Sequence, residues 1–376
     1  MESVGQNGTF PDTMAPTPEA LLTSDPTATP AYFTTEQHLL MAVWLGFIGS
    51  FGFIANLLTV LVFWCFRSLR TPFHLYLGGI ALSDVLVAAL GSPFAVASAV
   101  GERWLFGRAA CVWYAFVNYF LSIVSIVTMS AMSFSRYWLI IRPQSAQSLE
   151  TVFGACAVNA LAWCYSFFWT IMPVLGWSRF THVAAMTVCS LDWDHHTPLS
   201  KSYIPVAFLS CLFLPLGVII FSVAKTTMHL RRAAEVEDEV PTEVQAGRKT
   251  TRITLVMAGC WLVAWLPYAC MALVIAAGGH VSPTIEVLAT KFAKTSYIVN
   301  TIIYVVMDKE FRKSLVLLLF CGRDPFNIQI EQPAYEKADV YVERLVTAEP
   351  MVEMEPVNLR QQGQQEPGRE PFGTPL

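Results

Sequence analysis

Seven runs of roughly twenty mostly apolar residues, each closed by a short polar segment, constrain this chain more than any other feature. They begin near Leu39, Leu75, Ala110, Val152, Tyr203, Arg252 and Ile285. The hydrocarbon core of a bilayer asks for about 20 residues per spanning helix. With no water at that depth, only helices or closed barrels satisfy the backbone. Over 376 residues the chain is 54% hydrophobic and only 14% charged, too apolar for an ordinary soluble domain of this length. These patterns predict an all-α membrane protein, a seven-transmembrane helix bundle embedded in the lipid bilayer, and they offer no basic surface for nucleic acid.

Basic residues set the expected orientation. Residues 1–40 and 278–290 hold no Lys or Arg. Arg67 and Arg70, Arg136 and Arg142, Arg231 and Arg232, Arg248 and Lys249, and Lys309, Arg312 and Lys313 fall at alternate connections. The positive-inside rule then places the N-terminus outside and the C-terminus in the cytoplasm, the parity that seven spans require. The organisation read from this pattern is a disordered extracellular segment at 1–37, a bundle at 38–307, a short amphipathic eighth helix at 308–322 and a disordered cytoplasmic tail at 323–376. A multi-pass protein of the plasma membrane is expected. Asn7-Gly8-Thr9 is a candidate glycosylation acceptor.

Nine cysteines show no metal-type spacing, and those at 156, 164, 211, 260 and 270 read as packing residues within spans. Cys111 and Cys189 differ, since both fall on the outer, oxidising side, and they are expected to be joined. Cys321 follows SLVLLLF just past the last span, a candidate lipidation site on a helix lying along the membrane.

The most unusual stretch is KFAKTSYIVNTIIY at 291–304, which puts two lysines into an apolar span. An ionisable group at that depth costs about 2.5 to 3.5 kcal/mol on insertion scales and by default marks a functional site. Lys294 lies nine residues inside the outer end, roughly 13 Å along a helix, too deep for easy snorkelling to the interface. Lys291 lies one turn shallower and is read as a pocket-rim or interfacial charge. A buried amine favours its neutral form, which is the nucleophile toward an aldehyde. Trp261, Trp265 and Tyr268 on the sixth span, with Tyr114 and Tyr119 on the third, line up at the same depth. An aromatic stripe is more often plain core, but beside Lys294 it suits an extended apolar ligand.

Asn56, Asp84, WLF before Gly107, Cys111, SRY at 135–137, Trp163, Pro215, WLPY at 265–268 and NTIIY at 300–304 occur one per span or loop. In that order they resemble the rhodopsin-like G-protein-coupled receptors. AKTS with Asn300 and Tyr304 beyond it, DKEFR, Cys321-Gly322, and GWSR at 176–179 with Cys189 and Asp192 resemble the opsins, with SFFWTIMPVLGW similar to the non-visual, neuropsin-like branch. The resemblance covers residues 40–322. It implies retinal bound as a Schiff base on Lys294, with Trp265 and Tyr268 in the retinal pocket and a plug over it. It also implies coupling to a heterotrimeric G protein through Arg136, Tyr137, Asn300 and Tyr304.

Departures from the opsin pattern shape the functional reading. The usual positions of the anion that balances a protonated Schiff base read Tyr114, Val183 and Ala95, and Glu286 lies eight residues above Lys294. A neutral Schiff base absorbing in the violet or ultraviolet is therefore expected. The acid before the Arg-Tyr pair is Ser135, and the acid at the base of the sixth helix is Gly247. Thr301 replaces Pro, and Val223 stands where a fifth-helix Tyr is usual. The first two changes loosen the resting state, implying activity in the dark, while the last two act against the active state. From Arg323 onward the only Ser or Thr residues are Thr347 and Thr374, so phosphorylation-dependent arrestin capture is expected to be weak or absent. Lost signalling residues also leave open a retinal photoisomerase, an enzyme, and a receptor for a soluble ligand would leave Lys294 without a purpose.

Overall fold

The computed structural model describes residues 33–146, 151–183, 187–193, 197–236, 242–323, 325–326 and 328. Asn7, the acidic segment near 237–240 and nearly all of the tail lie outside the described residues, as do the readings that rest on them.

The chain forms α1 (Thr35–Cys65), α2 (Pro72–Leu90), α3 (Ser92–Val100), α4 (Gly107–Ile141), the single turn α5 (Pro143–Ala146) and α6 (Val152–Ile171). An antiparallel hairpin follows, β1 (Phe180–Val183) on β2 (Val188–Leu191), pairing His182 with Cys189. Then come α7 (Pro198–Phe208), a π-helical turn (Leu209–Phe213), α8 (Leu214–Val236), α9 (Thr242–Ala276), α10 (Pro283–Ala293), α11 (Ser296–Met307) and α12 (Lys309–Leu319). Hydroxyl side chains open many of these helices. Thr34 and Gln37 close a capping box on α1, and Thr71, Thr151, Thr197 and Ser282 cap α2, α6, α7 and α10, satisfying amides that have no partner within the helix.

Among the described residues six helical segments are long and apolar enough to cross a membrane. The seventh crossing is α10 followed by α11, and neither half alone is long enough. The break falls at Lys294 and Thr295. There the amides of Thr295, Tyr297 and Ile298 bond to carbonyls three residues back, at 3.0, 3.3 and 3.2 Å. This tightened turn replaces the continuous helix expected from the apolar run, and such turns inside helices often mark functional sites.

The bundle is inside-out relative to a soluble protein. On α1, Leu39, Val43, Phe47 and Ile54 are exposed, while Leu45, Ile48, Asn56 and Thr59 are buried. Lipid covers the first set, and neighbouring helices supply the polar partners of the second. Asn56 Nδ2 donates to the Gly52 and Tyr297 carbonyls at 2.9 and 2.6 Å, and Thr301 Oγ1 donates to Asn56 Oδ1 at 2.8 Å. The Thr at 301 thus ties α11 to α1. Gly49 permits the close approach of α1 to α3, because a Cβ there would meet the Ser92 Cβ at 2.7 Å.

Cys111 at the start of α4 is bonded to Cys189 on β2, which fixes the hairpin over one end of the bundle. Replacing either cysteine with Ser is expected to cost about 2 to 4 kcal/mol, seen as a lower thermal midpoint of the purified protein and a lower surface yield. Wild-type values for both single variants would show that the bond does not hold the hairpin.

Candidate functional site

The tightened turn between α10 and α11 places the Lys294 side chain inside the bundle, where the residue is only 6% exposed. Its Nζ donates to Asn118 Oδ1 on α4 at 2.6 Å. The ring faces of Tyr114 and Tyr297 flank the amine, with centroids at 5.3 and 5.7 Å, within range of cation–π attraction. Tyr297 Oη also donates to Asn118 Oδ1, at 3.4 Å. Asn118 was missed in the sequence because a lone Asn in an apolar span reads as a helix-packing residue. Its spacing of four from Tyr114, the position expected to face the amine, is the signal that points to it.

Lys291 does not sit at the interface, one of its two expected places. It is 4% exposed, and its Nζ has no hydrogen-bond partner among the described residues. One turn from Lys294, it is buried on the inward face of α10.

An apolar cavity of about 90 Å³ lies beside the amine, lined by Tyr119, Ser122, Phe208, Trp261, Trp265 and Tyr268 among others. Four of the six expected pocket residues meet there, whereas Tyr114 and Lys294 are not among its lining residues. Ser122, bonded to the Asn118 carbonyl at 2.6 Å, and Trp265, bonded to Ser296 at 3.1 Å, join cavity to amine. The Trp261 and Trp265 rings stack at 5.5 Å. Local backbone chemistry builds the opposite wall. The π-helical turn before Pro215 carries Cys211 and Leu212 into the lining beside Ala207 and Phe208, and one extra residue in a turn is a common way to re-aim side chains at a site.

The hairpin roofs the cavity. Tyr268 Oη meets Ser190 Oγ at 2.6 Å and accepts from Trp193 Nε1 at 3.1 Å. Arg179 Nε donates to Asp192 Oδ2 at 2.6 Å, so GWSR and Asp192 do form one unit.

At the opposite end the Arg136 guanidinium lies over the Phe73 ring, 5.1 Å from its centroid. Tyr137 packs edge-on against Phe221 at 5.3 Å. Asn300 donates to Asp84 at 3.2 Å, and Tyr304 packs on Phe311. At Gly247 a Cβ would lie 3.3 Å from Ile140 Cδ1, so α9 packs closely on α4 there. Val223 is partly buried and packs against the cluster that contains Phe73, Tyr304 and Phe311. Cys321 is exposed just beyond α12.

A tie absent from the sequence reading links three elements at this end. Asp308 Oδ2 accepts from His74 Nε2 on α2, and its Oδ1 accepts from Lys249 Nζ on α9, both at 3.2 Å. Oδ1 also caps α12 through the amides of Glu310 and Phe311. Burial alone would raise the pKa of this carboxyl, but the hydrogen bonds and charges of His74 and Lys249 outweigh it and hold the group well below the usual carboxylate range.

Comparison with known proteins fits this geometry. A model of the seven-transmembrane receptors of the rhodopsin family matches residues 55–304. The chain belongs to that receptor family. Pinopsin of Columba livia is 32% identical over 313 residues, 80% of this chain and 88% of pinopsin. Opsin-3 of Mus musculus is 31% identical over 293 residues, 76% of this chain and 72% of its own length. Melanopsin-B of Gadus morhua is 30% identical over 318 residues, 80% of this chain and 52% of its own. The crystal structure of squid rhodopsin superposes with a TM-score of 0.72 at 24% identity, covering 88% of this chain and 98% of that one. The receptor is therefore an opsin-like seven-helix membrane protein of a signalling family rather than an enzyme, and the photoisomerase alternative gains no support.

Because folding lowers the pKa of Asp308, its ionised form stabilises the receptor fully above the unfolded carboxylate value of about 3.9, and the contribution fades as pH falls below it. Asp308→Asn is expected to lower the thermal midpoint at pH 7 and to approach the native protein below about pH 4. An equal deficit at both pH values would show that the charge is not what matters.

Proposed function

We propose that this receptor is a light-regulated, non-visual opsin that holds retinal as a Schiff base on Lys294 and activates a heterotrimeric G protein from its basic, cytoplasmic end. The buried Lys294 amine beside an aromatic, apolar cavity carries the reading. The residues fit the group: an amine kept from water suits attack on an aldehyde, and Tyr119, Trp261, Trp265 and Tyr268 suit a polyene. Retinal supplies a light-driven change of shape within that slot. The cavity of about 90 Å³ is smaller than the roughly 300 Å³ at the low end of small-molecule sites, so the Trp and Phe side chains around it turn aside on binding. The hairpin, fixed by its disulfide and by Tyr268, keeps water from the attached ligand. Localisation follows as multi-pass in the plasma membrane, N-terminus outside, with Asn7 glycosylated, Cys321 acylated and arrestin capture through phosphorylation weak.

Borohydride reduction of the retinal-treated receptor, followed by peptide mapping, is expected to find retinyl on Lys294. Retinyl on Lys291, or on no lysine, overturns the assignment.

The receptor also signals in the dark. Ser135 stands where the family pattern has an acid before the Arg-Tyr pair, and the Lys294 amine bonds to the neutral Asn118. G-protein activation in darkness above that of untransfected cells, reduced severalfold by Ser135→Glu, is the expected outcome. Background-level activity, or a Ser135→Glu variant as active as its parent, rules this out.

A further inference from the structure

We infer that Asn118 takes the place of the missing anion, acting as the fixed neutral acceptor that favours the protonated state of the nitrogen at Lys294. The inference rests on the retinal reading for its consequence on colour, but the bond itself belongs to the protein alone.

Asn118 is oriented without ambiguity. Its Nδ2 donates to the Tyr114 carbonyl at 2.8 Å, and a backbone carbonyl only accepts, so the other end of the amide must be oxygen. That oxygen faces Lys294 Nζ at 2.6 Å and also receives Tyr297 Oη at 3.4 Å. Gly91 at the end of α2 makes room for the amide, since a Cβ there would lie 2.9 Å from Asn118 Nδ2. The site is thus built from α2, α4, α10 and α11 to present one oxygen to one nitrogen.

Such an oxygen discriminates between the two states of its partner. A protonated nitrogen, as amine or as Schiff base, donates to Oδ1. An unprotonated Schiff-base nitrogen offers only a lone pair, which repels the Oδ1 lone pairs, and the amide is not free to turn because its NH2 is engaged by Tyr114. Other ionisable groups do not substitute for it. Asp84 on α2 is engaged by Asn300 and Asp192 by Arg179. Tyr114 and Tyr297 present ring faces, Tyr268 on α9 bonds to the hairpin, Glu286 lies two turns up α10, and Lys291 carries the same sign of charge. A dipole stabilises a cation less than a full anion does, so the acceptor shifts the balance without reversing it. The pigment remains mostly neutral and ultraviolet-absorbing at pH 7, with a visible form that appears on acidification.

The test compares the full-length receptor with Asn118→Leu and Asn118→Asp in two assays. With retinal bound, the midpoint for appearance of the visible band is expected to fall by about one to two pH units in Asn118→Leu, the equivalent of one hydrogen bond to a charged group. In Asn118→Asp it should rise enough to give a visible pigment at pH 7. Without retinal, acetaldehyde and cyanoborohydride label the lysines, and mass spectrometry reads Lys294 against Lys291. Losing the acceptor frees the neutral, reactive amine, so at an acidic pH where the native amine is mostly protonated the ratio should rise about tenfold in Asn118→Leu and fall in Asn118→Asp. An unchanged midpoint with retinal attached, or an unchanged labelling ratio, overturns the role of Asn118. Failure of retinal to attach to the native receptor overturns the retinal reading instead and leaves the labelling ratio to decide Asn118. If the Leu variant does not fold, the Asp variant decides alone: a lower ratio supports the inference and an unchanged one ends it.

Discussion

A lipid interior offers no hydrogen bonds, and the rest of this structure answers to that constraint. Each polar side chain carried into the bundle must find a partner on another helix or on its own backbone. Asn56 binds α1 to α11, Asn300 binds α11 to Asp84 on α2, Trp265 binds α9 to Ser296, and Asn118 binds α4 to Lys294. All four contacts involve the interrupted seventh crossing. The backbone is locally tightened in the same place, so the crossing that carries the buried Lys294 is also the one most closely tied to its neighbours by polar contacts.

Much of this was legible in the sequence because burial and depth leave periodic traces. Apolar runs of one length, basic residues at alternate connections and one lysine far from either interface required only chain geometry. The disulfide was read from two cysteines that both fall on the outer, oxidising side, and the structure bears it out. Partner choice was not legible. Asn118, His74 and Asp308 meet Lys294, Lys249 and one another across 59 to 234 residues of chain, and no local pattern encodes such contacts. The interfacial place expected for Lys291 failed for a related reason: its depth was readable, but not which face of α10 turned inward.

Sequence departures that looked like losses prove to be replacements. Thr301, where Pro is usual, restores a backbone donor and adds a bond to Asn56. Gly247, where an acid is usual, lets α9 lie against Ile140 and Leu230. Arg136, without an acid before it, rests on Phe73. Asp308 gathers Lys249 and His74 into a tie between α9, α2 and the start of α12. Counting absent motif residues therefore overstates how loose the resting bundle is.

The size of the replacements sets how close the balance is. A charge-assisted hydrogen bond to Arg136 would contribute about 1.5 to 3 kcal/mol, and a cation–π contact contributes about 0.5 to 1 when exposed and about 2 when desolvated; Phe73 is buried. The Lys249 side chain is 41% exposed, so its bond to Asp308 is screened by water and adds at most about 1 kcal/mol. Together they are comparable in size to the acid lock they replace, and every 1.4 kcal/mol of difference is about a tenfold change in population. At the other end the usual anion positions read Tyr114, Val183 and Ala95, and Lys294 is held by one hydrogen bond to the neutral Asn118 and by two ring faces rather than by a charge pair. The balance is close enough that a single added carboxylate at either end would tip it, because one charge-assisted bond is as large as the contacts that stand in for it.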